Sequence, residues 1–130
     1  MIRTAMLACL LFNSASAFAA EPDFALPGKW AEEHVGEIAE LYRELHAAPE
    51  LSFEEAKTAA RMADELRKVG AEVTTGIGGH GLVGVLENGE GKVLLLRADM
   101  DALPVVEETG LPYASRVKVK TARGETVGVA

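Results

Sequence analysis

Residues 92–96, Lys92-Val93-Leu94-Leu95-Leu96, constrain the fold more than any other stretch of this sequence. Their apolar side chains would fall on both faces of a strand. That pattern predicts a strand covered on both sides and central in a sheet. A central strand needs neighbours on both flanks, and few later strands are available to supply them. Immediately after it the run breaks into Arg97-Ala98-Asp99-Met100-Asp101-Ala102-Leu103-Pro104. In open α/β sheets, ligands collect just beyond the carboxyl ends of strands. Asp99 and Asp101 stand at that position.

The segments before this strand read as two helices and two strands. Val35, Ile38, Leu41, Tyr42 and Leu45 recur at helical spacing from about Ala31 onward, and Pro49 ends the pattern. Ser52-Phe53-Glu54-Glu55 has the form of a capping box, with the Ser52 hydroxyl placed to accept from the Glu55 N–H. Ala56, Ala59, Met62, Ala63, Leu66 and Val69 then make a second helical stripe, and Gly70 follows as its left-handed terminus. Ala71, Val73 and Thr75 alternate with polar residues, as in a half-exposed strand. Gly76-Ile77-Gly78-Gly79-His80-Gly81 is a loop, residues 82–86 are a buried-type strand, and Asn88-Gly89-Glu90-Gly91 signals a hairpin leading into residues 92–96. Beyond the turn at Thr109-Gly110-Leu111-Pro112, residues 117–119 and 125–129 suggest a second, more exposed hairpin around Arg123-Gly124. The order predicts an α/β domain with a mixed sheet that lacks its second half.

The 130 residues are a one-domain length. Arg3, the apolar core Ala5-Met6-Leu7-Ala8-Cys9-Leu10-Leu11-Phe12 and the small-x-small site Ala17-Phe18-Ala19 read as a secretory signal over residues 1–20. An uncleaved N-terminal anchor is the alternative. The apolar run is much shorter than the roughly 20 residues of a spanning helix. Residues 21–30 read as a linker with two prolines and a glycine, and 31–130 as the incomplete α/β domain. Cleavage removes Cys9, the only cysteine, so the mature chain has neither disulfide nor thiolate ligand. Its location is expected to be secreted or periplasmic. A net charge of −7 with dispersed acidic residues argues against a nucleic-acid partner, and after cleavage no membrane association is expected.

Two explanations compete for Asp99 and Asp101. Carboxylates are costly to bury unless paired, hydrogen-bonded or metal-bound. One explanation is a solvated acidic loop in which Arg97 pairs with an aspartate. The other is a carboxylate that ligates a metal or orients a histidine ligand. The glycine loop lacks the Gly-Lys-Ser/Thr ending and the following helix of a phosphate loop. His80 within it reads as exposed and, alone, as a poor metal ligand. His46 near the end of the first helix reads as structural, favoured by the helix dipole, and His34 as a surface residue. No serine has a triad context and no zinc-binding helix motif occurs.

Four blocks of the chain resemble a known family. They are Leu45-His46-Ala47-Ala48-Pro49-Glu50-Leu51-Ser52-Phe53-Glu54-Glu55, Thr75-Gly76-Ile77-Gly78, Leu96-Arg97-Ala98-Asp99-Met100-Asp101-Ala102-Leu103-Pro104 and Glu108-Thr109-Gly110-Leu111-Pro112-Tyr113-Ala114-Ser115. In this order and spacing they are similar to the metal-dependent amidohydrolases that include hippurate hydrolase, N-acyl-amino-acid aminoacylases and the indole-acetyl-amino-acid hydrolases. The resemblance implies a catalytic α/β domain with a smaller inserted domain, often homo-oligomeric. It implies two divalent metal ions, zinc or manganese, and hydrolysis of a small N-acyl amino acid or peptide-like conjugate. In that chemistry a metal-bound water attacks the carbonyl and a glutamate is the base. Asp101 matches the aspartate that follows a metal-binding histidine by two positions in related metallopeptidases and orients it. Asp99 occupies the histidine's place. The resemblance therefore makes Asp101 the first catalytic candidate and Asp99 the second, with no metal ligand assigned in this chain. The family's next block, His-Ala-Cys-Gly-His, would begin where Gly128-Val129-Ala130 ends the sequence.

Two functional classes follow. The chain is an N-terminal fragment of a secreted amidohydrolase, inactive by itself because the principal ligands and base are missing, or it is a non-catalytic module that associates with a partner chain. The signal reading has its own check. Expression from the native start in a bacterium should release a chain whose first residue, by N-terminal sequencing, lies near Glu21.

Overall fold

The computed structural model describes residues 25–121 and 123–130. The signal segment expected over 1–20 and the first part of the expected linker lie outside the described residues. The chain divides into two compact units, Met1–Glu33 and His34–Ala130. Described residues of the first are the opening turns of α1, Ala25–Ala47. The second unit continues through α2 (Ala56–Lys68), β1 (Glu72–Ile77), β2 (Gly81–Val85), β3 (Lys118–Lys120) and β4 (Thr126–Gly128).

α1 begins upstream of the expected Ala31, so residues 25–30 of the expected linker are helical. Pro27 is tolerated because the first turn's N–H groups have no intrahelical partner in any case. The helix stops before Pro49, as expected. Of its apolar stripe, Leu41 and Leu45 are half-buried, whereas Val35, Ile38 and Tyr42 are exposed.

The start of α2 departs from the capping-box expectation. Glu55 is the N-cap, and no side chain of its own or of Ser52 caps the helix. The Glu50 carboxylate does so from outside. Its Oε2 accepts from the Lys57 N–H at 2.9 Å, the Thr58 N–H at 2.7 Å and the Thr58 hydroxyl at 2.9 Å. These are the donors an N-cap side chain would serve, and a negative charge there is favoured by the helix dipole. Glu55 instead accepts from the Phe53 N–H at 2.9 Å, across a backbone that Phe53 holds at φ +66°. The other end matches expectation. Gly70 sits at φ +86°, its N–H bonds to Arg67 O, and the Ala71 N–H bonds to Leu66 O. This is the paired bonding of a Schellman terminus.

The small residues of α2 set its distance from the sheet. Ala59 and Ala63 are buried, and α2 packs on the antiparallel β1–β2 hairpin, in which Val73 pairs with Gly84 and Thr75 with Leu82. A side chain at Gly84 would meet Leu66 Cδ1 at 3.0 Å, so Leu66 uses the space that Gly84 leaves. The hairpin turns through Gly78, Gly79 and His80.

The expected hairpin at Asn88-Gly89-Glu90-Gly91 and the expected central strand at 92–96 are not formed. Residues 92–96 have no strand pairing, and Val93, Leu94, Leu95 and Leu96 are 98%, 81%, 82% and 85% exposed. Apolar patterning specifies that a strand should be covered, but not by which neighbour. Among the described residues none pairs with it. The second hairpin forms as expected: β3 and β4 are antiparallel, with Val119 opposite Val127.

Backbone bonds beyond these strands hold the segment after Asp101. The Ala102 N–H donates to Glu50 O at 2.8 Å, with a parallel bridge between Leu51 and Ala102. On its other side Leu103 and Ala130 exchange bonds of 2.8 and 3.1 Å. The Val129 N–H continues to Val117 O at 3.1 Å. Val129, at 1% exposure, is the most deeply buried large side chain among the described residues. No described helix is long and apolar enough to cross a membrane.

Two substitutions test this account. Gly70→Ala should cost about 1–2 kcal/mol, because only glycine adopts the left-handed backbone freely, and Glu50→Ala about 0.5–2 kcal/mol through loss of the cap. Urea unfolding followed by far-UV circular dichroism should show lower midpoints at unchanged slope for both.

Candidate functional site

Asp99 and Asp101 lie in an irregular segment that borders two clefts. One, of about 370 Å³, is lined by Leu45, Thr58 and Met62 together with both aspartates. The other, of about 280 Å³, is lined by Ser52, Glu55, His80 and the same two aspartates. The connection between α1 and α2, the β1–β2 turn and the segment after residue 97 therefore meet at the carboxylates. His80 is half-buried there, not exposed as its loop position suggested.

Neither aspartate is buried. Arg97 Nη2 donates to Asp99 Oδ1 at 2.6 Å, with the two side chains 79% and 64% exposed. An ion pair so open to water contributes little. Asp101 is exposed and its carboxylate has no hydrogen bond among the described residues. The burial argument for a metal-bound carboxylate thus has no purchase here, and the Arg97–Asp99 pair is the one the solvated-loop reading expects. No group of three or more His, Cys, Asp or Glu side chains among the described residues could hold a metal ion. The described residues therefore do not form the ligand set of a two-metal centre.

The most strongly bonded carboxylate lies elsewhere. Glu107, whose side chain is 4% exposed, accepts from His46 Nε2 at 2.8 Å, and also from the Thr109 hydroxyl and the Ser115 N–H. His46 packs at 5.5 Å, edge to face, on Tyr113, and at 5.4 Å on Tyr42. Arg43 stands over the Tyr113 ring at 5.8 Å. The hydrogen bond from His46 foremost, then that from Thr109, hold the Glu107 carboxyl down to about 2 from an ordinary 4.5, with a smaller contribution from the Ser115 N–H and against the opposite pull of burial. His46 has the structural part expected of it, but its partner is Glu107 rather than a helix end alone. Sequence reading passed over Glu107 because 61 positions separate it from His46. Its one local signal is Thr109, two residues on, within a polar turn.

No family model matches the sequence. Individual relatives do. Hippurate hydrolase of Campylobacter jejuni is 48% identical over 82 residues, which are 62% of this chain and 21% of that protein. Thermostable carboxypeptidase 1 of Saccharolobus solfataricus is 46% identical over 83 residues, again 62% of this chain and 21% of the relative. Among solved structures, the Bacillus subtilis YXEP protein, described as a dinuclear metal-binding peptidase from the M20 family, superposes with a TM-score of 0.59 at 33% identity, covering 66% of this chain and 24% of that one. The chain thus spans about a fifth of the length of the curated relatives it matches. Over the matched stretch it is similar to amidohydrolases and to a peptidase of the M20 family, and its helices and sheets resemble part of an α/β domain of that kind.

The Glu107 site predicts a pH dependence. The unfolded chain protonates this carboxyl near 4.5 and the folded chain only near 2. Its contribution to stability is therefore fully present above about pH 4.5 and is lost as pH falls from there toward about 2. Glu107→Gln should be less stable near neutrality and should lose less on acidification. Urea midpoints measured across that window should converge for the two proteins at the acid end. Midpoints that stay a constant distance apart would contradict the assignment.

Proposed function

We propose that this chain carries the Asp99–Asp101 portion of a metal-dependent amidohydrolase that cleaves the amide bond of N-acyl amino acids or small peptide-like conjugates. The observation that supports this is the segment Arg97-Ala98-Asp99-Met100-Asp101-Ala102-Leu103-Pro104. Its end is gripped on both edges by backbone bonds, to Glu50 and to Ala130, and it borders two clefts in a chain that is 48% identical over 82 residues to hippurate hydrolase. In this reading Asp101 orients a neighbouring metal ligand and Asp99 has a lesser part at the same centre. The complete enzyme uses two divalent ions, zinc or manganese, works as a homo-oligomer, and is secreted or periplasmic, without nucleic-acid or membrane partners. The described residues supply no ligand set, so no reaction step is assigned to them. The 130-residue chain alone is proposed to be inactive.

A second reading, a non-catalytic module that associates with a partner chain, is favoured by one observation. The run at 93–96 is apolar on both faces and almost wholly exposed. Such segments invite pairing with another strand.

Two measurements test the first reading. The isolated chain, dialysed against zinc or manganese, should retain less than a stoichiometric amount and should not hydrolyse hippurate. Turnover by the isolated chain would overturn its inactivity. A chimera in which the matched stretch of this chain replaces that of the Bacillus subtilis YXEP protein should bind metal and hydrolyse N-acyl amino acids. Asp101→Ala in it should lower metal affinity or activity by roughly 10–100-fold, the usual effect of losing a group that orients a ligand. A chimera equally active with and without Asp101 would remove that residue from the site.

A further inference from the structure

We infer that Glu107 is a positioning residue for the Asp99–Asp101 segment, acting through Ser115 and the last strand. The meaning of that segment rests on the amidohydrolase reading; the chain of bonds does not. Glu107 receives the Ser115 N–H and His46 Nε2, so it ties the end of α1 to residue 115. The Ser115 hydroxyl then donates to Val129 O at 2.6 Å and accepts from the Val117 N–H at 3.2 Å. Val129 is buried, and its own N–H is taken by Val117 O. Its neighbour Ala130 exchanges both backbone bonds with Leu103, two residues after Asp101.

The path is closed from a second direction. A side chain at Gly128 would lie 2.9 Å from Val106 Cα and 3.0 Å from Val105 O. β4 therefore sits directly against the backbone just before Glu107. Ala102 is held on its other edge by Glu50. The segment that carries Asp101 is thus fixed on one side by the α1–α2 connection and on the other by a strand whose place Glu107 sets. A half-buried carboxylate with three donors suits this task, because leaving its partners unbonded is costlier than the bonds are individually strong.

Amide hydrogen exchange on the full 130-residue chain, resolved by NMR, tests the inference. Ser115→Ala deletes the bond to Val129 O while leaving the His46–Glu107 pair. It should speed exchange at Leu103 and Ala130 by roughly tenfold, with the β1–β2 amides unchanged, and Ser115→Thr, which keeps the hydroxyl, should restore protection. Glu107→Gln should act in the same direction. A uniform rise that includes β1–β2, or no change at Leu103, overturns the inference. If Glu107→Gln does not fold, the Ser115 pair still decides. Failure of the YXEP chimera to hydrolyse amides would count against the amidohydrolase reading and leave the exchange result standing.

Discussion

Glu50 joins the start of α2 to the segment after Asp101. Its side chain satisfies the open N–H groups at the start of α2, and its carbonyl oxygen takes the Ala102 N–H. The helix start and the segment after Asp101 are therefore referenced to one residue. Unsatisfied donors at a helix end must find a partner, and in most helices the residue just before the first turn provides it. Here that residue, Glu55, does not, and the task falls to a carboxylate farther upstream, which the chain must fold back to present. Thr58, which the Glu50 carboxylate holds, lines one of the clefts beside Asp99 and Asp101.

The interior that backs this arrangement is small. Ala59, Ala63 and Val129 are the buried apolar residues among those described, while the most apolar run of the chain lies open. Burial of apolar surface is the main favourable term in folding, so specific hydrogen bonds carry more of the organisation than they would in a larger core. Glu107 illustrates this. Its three donors come from α1, a turn and the approach to β3, and they place elements that little apolar contact would otherwise align.

Local features were legible in the sequence. The body of α2, its glycine terminus and the β3–β4 hairpin depend on spacing and on residues adjacent in the chain, and all three form where they were expected. The miscast features share a different property. The capping box places the cap of α2 on the Ser52 hydroxyl, and the structure supplies it from the Glu50 carboxylate. The hairpin expected at Asn88-Gly89 has no strand pairing among the described residues, whereas the loop expected at 76–81 reverses the chain at Gly78-Gly79-His80. In each case several residues were chemically able to do the work, and the choice among them depended on distances that periodicity does not encode. His46 is the clearest instance: its position near a helix end explained it adequately until Glu107, remote in sequence, proved to be its partner.

By itself the sequence determined the helical spacing of α2, the left-handed turn at Gly70 and the β3–β4 hairpin, because these reside in residue identity and short spacing. Tertiary structure alone decided which carboxylate is surrounded by donors. Asp99 and Asp101, the residues marked by motif, stay in water, and Glu107, marked by nothing but a neighbouring threonine, is enclosed and held ionised. The physical reason is that desolvating a carboxylate requires donors converging from several directions, and only a folded chain brings His46, Thr109 and the Ser115 amide to one point.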